Sequence, residues 1–197
     1  MSAENKIWSY DLEKGKKVGA GQMLLAEPFM LDDNFRRAVV LLCDHSVENG
    51  TVGIILNKPI NLRMNDVMEG FPDYTGRIFL GGPVSTDSLM FLHTNGDIEG
   101  CNKLNEGLYW GGNFEQVKAM LQSGALNEKN IRFYLGYAGW SSDQLTEELK
   151  DNSWIIAKAE AAHIFKANEE NLWHDILHSL GGVYTIMAGY PENPLLN

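Results

Sequence analysis

Apolar residues along this chain arrive in short runs, divided by glycine, proline and Asn/Asp-rich breaks. Residues 21–28 (Gly-Gln-Met-Leu-Leu-Ala-Glu-Pro) predict a strand stopped by its proline. Beyond a turn at Asp32-Asp33-Asn34, residues 37–43 are almost continuously apolar, and 51–56 repeat the pattern after Asn49-Gly50. Asn-Gly tolerates positive φ, so these two runs are expected to pair as a hairpin. Their unbroken apolarity predicts a sheet covered on both faces. Residues 77–80, 88–94, 107–110, 131–136 and 154–157 supply further strands.

Helical spacing appears between them. Residues 61–69 predict a short helix carrying Leu62, Val67 and Met68. Asn113, with Gln116 three residues on, is placed to cap a helix through Val117, Met120 and Leu121 that stops at Gly124. Ser141 and Gln144 fit a capping box leading into Leu145 and Leu149. In 169–180, Leu172, Trp173, Ile176, Leu177 and Leu180 mark one helix face, closed by Gly181-Gly182. The apolar stretch 183–188 suits helix or strand. Gly136-Tyr137-Ala138-Gly139-Trp140 stands between an apolar run and the Ser141 cap, so a tight crossing from sheet to helix is expected there. The order of elements predicts an α/β or α+β layered protein. Residues 1–18, polar and Lys-rich, read as an arm or short surface helix ahead of one globular unit, 19–197.

Charge narrows the partners. The net charge is −10, with eight acids and seven bases in residues 1–60 and eighteen and nine in the remainder. Nucleic acid requires a positive surface to neutralise phosphates, so this field disfavours direct binding; Arg36, Arg37 and Lys58 are the local exception. The longest apolar runs, such as 38–43, fall far short of the ~20 residues of a membrane span. The first residues show no basic segment followed by a hydrophobic one, and a cytoplasmic location is expected. The two cysteines, Cys43 and Cys101, form no disulfide framework.

Candidate chemistry is sparse. The glycine pairs at 81–82, 111–112 and 181–182 lack dinucleotide and P-loop spacing and read first as turns. His174 and His178 lie four apart but off the apolar stripe, in HDILH and not HExxH, which favours a solvated polar face. Cys43 and His45 would share a strand face, a permissive arrangement for a thiol–imidazole pair, and His93 ends another strand. No Gly-x-Ser-x-Gly elbow is present. Glu147-Glu148 and Glu169-Glu170 are adjacent and read as solubilising charge. No cofactor and no metal is implied.

Five stretches resemble the YqgE/AlgH family of bacterial proteins: 21–28; Phe35 to Leu42 with His45; Gly50 to Pro59, including Asn57-Lys58-Pro59; Leu80-Gly81-Gly82-Pro83-Val84; and Gly136 to Trp140 with Gln144-Leu145, extending to an ending around Pro191 to Asn197. The resemblance implies a single α+β unit with a bulged mixed sheet flanked by helices. The family has no secure enzymatic assignment, and some members are described as regulators linked to alginate production or transcription. Asp143 stands where the family usually has glycine; an acid at a helix start is electrostatically favourable. The resulting expectation is a protein-binding or regulatory module, with Arg36, Arg37, His45, Asn57, Gly81, Gly82, His93, Tyr137 and Trp140 as candidate site residues. Two alternatives stand beside it. One is a small-ligand protein or enzyme with a pocket near His45, His93, Gly81-Gly82 and the 137–140 turn. The other is a transcriptional regulator.

Overall fold

The computed structural model describes residues 18–46 and 48–191; the expected arm, apart from Val18, lies outside the described residues. The first apolar run forms β1 (Gln22–Ala26), and the next two form β2 (Val39–Ser46) and β3 (Gly50–Ile55). β2 and β3 pair antiparallel as the Asn-Gly signal predicts, with Ser46 opposite Gly50. Alternation along β2 accounts for its continuous apolarity: Val39, Leu41 and Cys43 enter one core, Val40 and Leu42 another.

After β3 come β4 (Pro59–Ile60), α1 (Met64–Val67), β5 (Ile78–Leu80), β6 (Val84–His93), β7 (Asn102–Asn105), β8 (Leu108–Trp110) and α2 (Phe114–Gln122). The chain ends with β9 (Ile131–Trp140), α3 (Gln144–Lys150), β10 (Trp154–Lys158), α4 (Ala161–Phe165), α5 (Leu172–Leu180) and α6 (Val183–Ala188). The strand order is β10-β1-β2-β3-β9-β6-β8-β7, with β5 joined to β4 and β9. The β5–β9 pairing is parallel and the others antiparallel, and bulges interrupt β2, β6 and β7. This is the bulged, mixed α+β sheet that the family resemblance implies.

The sheet curls until its two ends meet. Asn105, closing β7, donates from Nδ2 to the carbonyls of Gly21 (2.6 Å) and Ala159 (3.1 Å), which flank β1 and β10. One face therefore becomes an inner core, where Met23, Leu41, Ile54, Tyr134, Leu92 and Leu108 pack against Ile164 of α4, Leu172, Trp173 and Leu177 of α5, and Ala188 of α6. The opposite face carries two separate clusters. Leu24, Val40, Leu42, Ala138 and Trp140 pack with Leu145 of α3, while Phe91, Ile131 and Phe133 pack with Val117 and Leu121 of α2.

Several expectations need correction. Gly136 to Trp140 is not a sheet-to-helix crossing: β9 runs unbroken through it, and α3 starts only at Gln144. Of the Ser141/Gln144 box only one half forms, Ser141 N–H donating to Gln144 Oε1 at 3.3 Å, and Asp143 occupies the cap position. The 61–69 helix shrinks to a single turn, and β6 begins four residues earlier than its apolar part. Residues 183–188 are helical. The Asn113 cap forms as expected, its side chain accepting from Gln116 N–H at 3.1 Å.

Candidate functional site

The candidate residues fall into two groups, with Trp140 and the two histidines apart from them. Arg36, Arg37 and Asn57 meet where the chain enters β2. Asn57 donates from Nδ2 to Arg37 O and accepts the Val39 N–H, both at 2.9 Å, a side-chain substitute for a strand partner. These bonds hold Arg37 at φ 50°, a left-handed conformation in a residue other than glycine. Its guanidinium lies over the Trp173 ring, 4.7 Å from the centroid, and donates to the Tyr190 carbonyl. Arg37 thus ties α5 and the segment after α6 to the sheet. Arg36 pairs with exposed Asp33 at 2.7 Å, and its carbonyl accepts from Lys58 Nζ.

Gly81, Gly82 and Tyr137 form the second group, with Gly136. Gly81 bridges two strands, donating to Leu135 O and accepting from Ile55 N–H. The chain then passes to the other edge of β9, where Val84 pairs with Tyr137. That crossing is backbone against backbone: a Cβ on Gly82 would sit 2.1 Å from the Tyr137 carbonyl carbon. One on Gly136 (φ +70°) would lie 2.5 Å from Gly82 O and 2.9 Å from Val84 O. No anion cradle exists here, because backbone fills the space. At Gly111-Gly112-Asn113-Phe114 the cap itself occupies the Gln116 amide.

Gly136 also shifts the alternation of β9. Phe133 and Leu135 lie on one face with the α2 cluster; beyond Gly136, Ala138 and Trp140 occupy that same face against α3. The spacing changes from even to odd, so a left-handed glycine bulge has reset the strand. Trp140 is consequently buried, beside Phe35 and Trp154, with its indole N–H donating to Glu148 Oε2 at 2.8 Å. Trp154 donates to the same oxygen at 2.6 Å. Tyr137 and Gly139, on the other face, are half-buried and exposed.

The histidines form no group. His45 stands opposite Thr51, whose hydroxyl is 2.8 Å from its Nδ1, and Thr51 stands opposite Trp140. His93 stands opposite Ile131, nine residues away along β9 from Trp140. At about 3.3 Å per residue, the two imidazoles are roughly 30 Å apart along the strand. The expectation that they approach one another is therefore corrected. Nor do Cys43 and His45 pair: the β2 bulge separates them, Cys43 bonds to Leu41 O, and burial pushes its thiol far above the ordinary range. A depression of about 400 Å³ between 59–63 and 75–77 contains none of the nine candidate residues.

His93 is fully buried, its Nε2 donating to Gly111 O at 2.9 Å and its ring stacked on Tyr109. Nδ1 has no hydrogen-bond partner among the described residues. Burial lowers the His93 pKa, with the Gly111 carbonyl opposing in part. The unfolded chain binds the proton first, near pH 6.5, so this group stabilises the fold above that value. The contribution is lost as pH falls below it, levelling off under the folded-state pKa. His163 is shifted in the same direction by burial. Melting curves of wild type and His93→Phe between pH 8 and 5 should differ in slope, the variant losing up to about 1.4 kcal/mol less per pH unit. Parallel slopes would remove His93 from the acid response.

Past the Gly81–Pro83 crossing, the inner face of the sheet has no helical cover among the described residues. Paired positions there are Asp44 with Val52, Val52 with Gly139, and Tyr137 with Val84. Asp44, Gly139 and Val84 are exposed, and Val52 and Tyr137 half-buried. Periodicity alone did not reveal this surface; counting the faces of 133, 135, 138 and 140 across Gly136 would have done so.

The described residues thus define a curled, mixed-sheet α+β protein whose central strand is bare on one face at one end. Residues 23–185 match the AlgH-like family, and the chain belongs to it. Among its relatives, a UPF0301 protein of Cytophaga hutchinsonii is 42% identical over 179 residues, covering 90% of this chain and 98% of the relative. One of Chlorobium chlorochromatii is 40% identical over 183 residues, covering 92% and 97%. The solution structure of AlgH from Pseudomonas aeruginosa superposes with a TM-score of 0.67 at 29% identity, covering 89% of this chain and 99% of that one. The crystal structure of DIP2367 from Corynebacterium diphtheriae shares the fold, with a TM-score of 0.74 at 20% identity and coverage of 89% and 94%.

Proposed function

We propose that this protein is a cytoplasmic protein-binding module whose partner docks on the bare sheet surface around Tyr137. One observation carries the proposal: Gly139 is exposed although it pairs with Val52 of β3 in the central strand β9, just past the point where β6 begins with Val84 opposite Tyr137. A central strand normally buries both faces or turns a polar one to water. Here Val52, Tyr137 and Val84 surround a glycine, a flat and partly apolar patch bordered by exposed Ser85 to Ser88. Tyrosine, with an apolar body and a polar tip, suits such a contact. Any influence on transcription would run through that partner, because the acidic field opposes phosphate binding. Neither cysteine is paired, which fits a reducing compartment.

Gly139 offers a clean test. Its φ is not in the left-handed region, and a Cβ there meets nothing nearer than 3.4 Å, so a larger side chain is accommodated without refolding. Gly139→Arg should melt within a few degrees of wild type yet lose binding of a partner captured by the wild-type chain and repurified. The same partner bound equally by Gly139→Arg and Tyr137→Ala would place the contact elsewhere.

A further inference from the structure

We propose that His174 and His178, on the exposed side of α5, form a two-imidazole site for a divalent late first-row metal ion such as Zn2+ or Cu2+. The two rings stand one helical turn apart, nearly parallel at 21°, with centroids separated by 6.1 Å. Both side chains are exposed, so small torsional changes bring their nitrogens onto one ion without disturbing the core. The backbone beneath them is fixed. Leu172, Trp173, Ile176 and Leu177 bury the opposite side of α5, and the Trp173 indole donates to Ala26 O at 2.8 Å.

Asp175 supplies the outer support. His174 Nδ1 lies 3.3 Å from Asp175 Oδ1, so the ring donates there and presents the Nε2 lone pair outward. A carboxylate behind a ligating imidazole fixes its tautomer and ring orientation. The added negative charge favours a cation. Imidazole donors select zinc, copper and nickel over magnesium and calcium.

Among the described residues no group of three or more ligating side chains exists. Two imidazoles must therefore be completed by water, giving an exchangeable ion and not a structural one. The remaining histidines do not compete: His45 is engaged with Thr51, His93 is buried, and His163 accepts the Glu160 N–H on α4. The proposal is independent of the docking surface on β9.

Calorimetric titration of the full chain with ZnCl2, and copper electron paramagnetic resonance, test it directly. Wild type should bind a single equivalent, with copper showing coordination by two imidazole nitrogens. His174→Asn and His178→Asn should each weaken binding about tenfold or more by removing one ligand, while His163→Asn leaves it unchanged. Zinc should raise the melting temperature of wild type but not of the two ligand variants, because the ion staples one turn of folded helix. Far-ultraviolet circular dichroism confirms that the variants fold. No saturable binding by wild type, or equal binding by the His174→Asn and His178→Asn variants, overturns the site.

Discussion

Gly136→Ala should be among the most damaging single substitutions in this protein. The new methyl would have to enter space held by the carbonyl oxygens of Gly82 and Val84, at 2.5 and 2.9 Å, and neither is the end of a flexible side chain. A left-handed φ in a residue with a Cβ costs about 1–2 kcal/mol, and forcing excess volume into a packed site a further 1–3. The sum, about 2–5 kcal/mol, is a large share of the 5–15 kcal/mol that ordinarily separates folded from unfolded chains. In a chain of this size it corresponds to a fall in melting temperature of roughly 5–20 °C. Gly139→Ala, three residues away on the same strand, has ordinary contacts and no left-handed φ, and should shift the midpoint little. If the two alanine variants melt alike, the backbone crossing at Gly136 is not what holds this part of the sheet.

The consequence would reach beyond stability. Gly136 resets the alternation that turns Trp140 into the core and leaves Tyr137 and Gly139 outside. If the bulge is ironed out, every side chain beyond it changes face. A partly folded Gly136→Ala protein should therefore show altered tryptophan emission along with its lower midpoint.

The strands of the inner core were legible because their residues alternate between two buried faces and so read as continuous apolar runs. The Asn113 cap was legible because its chemistry is local, acceptor and amide being three residues apart. What failed was whatever depended on partners distant in the chain. β7 carries one apolar residue, Leu104, and is a strand because it pairs with β8, its end tied by Asn105 to Gly21 and Ala159. α4 has five residues, too few for periodicity to register. Glycine at 136 signalled conformational freedom, but not whether the chain would use it to leave the sheet or to shift register within it. Its tertiary neighbour, Gly82, decided that. The candidate residues were likewise identifiable as individuals, and Arg37, Asn57, Gly81, Gly82 and Trp140 do hold special positions. Their common destination was not identifiable, since His45 on β2 and His93 on β6 lie toward opposite ends of β9.

Glu148 carries the same lesson into a second large effect. In the sequence it is one half of an adjacent acidic pair, indistinguishable from Glu147. In the fold, Glu147 lies exposed beside Lys150, whereas Glu148 accepts the indole N–H groups of both Trp140 and Trp154 on Oε2 and the Gln144 amide on Oε1. The two indole rings are 95% or more buried and meet edge to face at 5.8 Å, so neither donor has water as a substitute. Leaving a buried donor unpaired costs about 1–3 kcal/mol, and two are orphaned together, so Glu148→Ala should lose about 2–6 kcal/mol. Glu147→Ala breaks an exposed ion pair with Lys150 and should leave stability nearly unchanged. Glu148→Gln retains a carbonyl oxygen that accepts from both indoles and should fall between the two. Denaturant titrations of the three variants, followed by tryptophan fluorescence, rank them directly. Equal losses for Glu147→Ala and Glu148→Ala would mean that the charge on α3 matters and the tryptophan clamp does not.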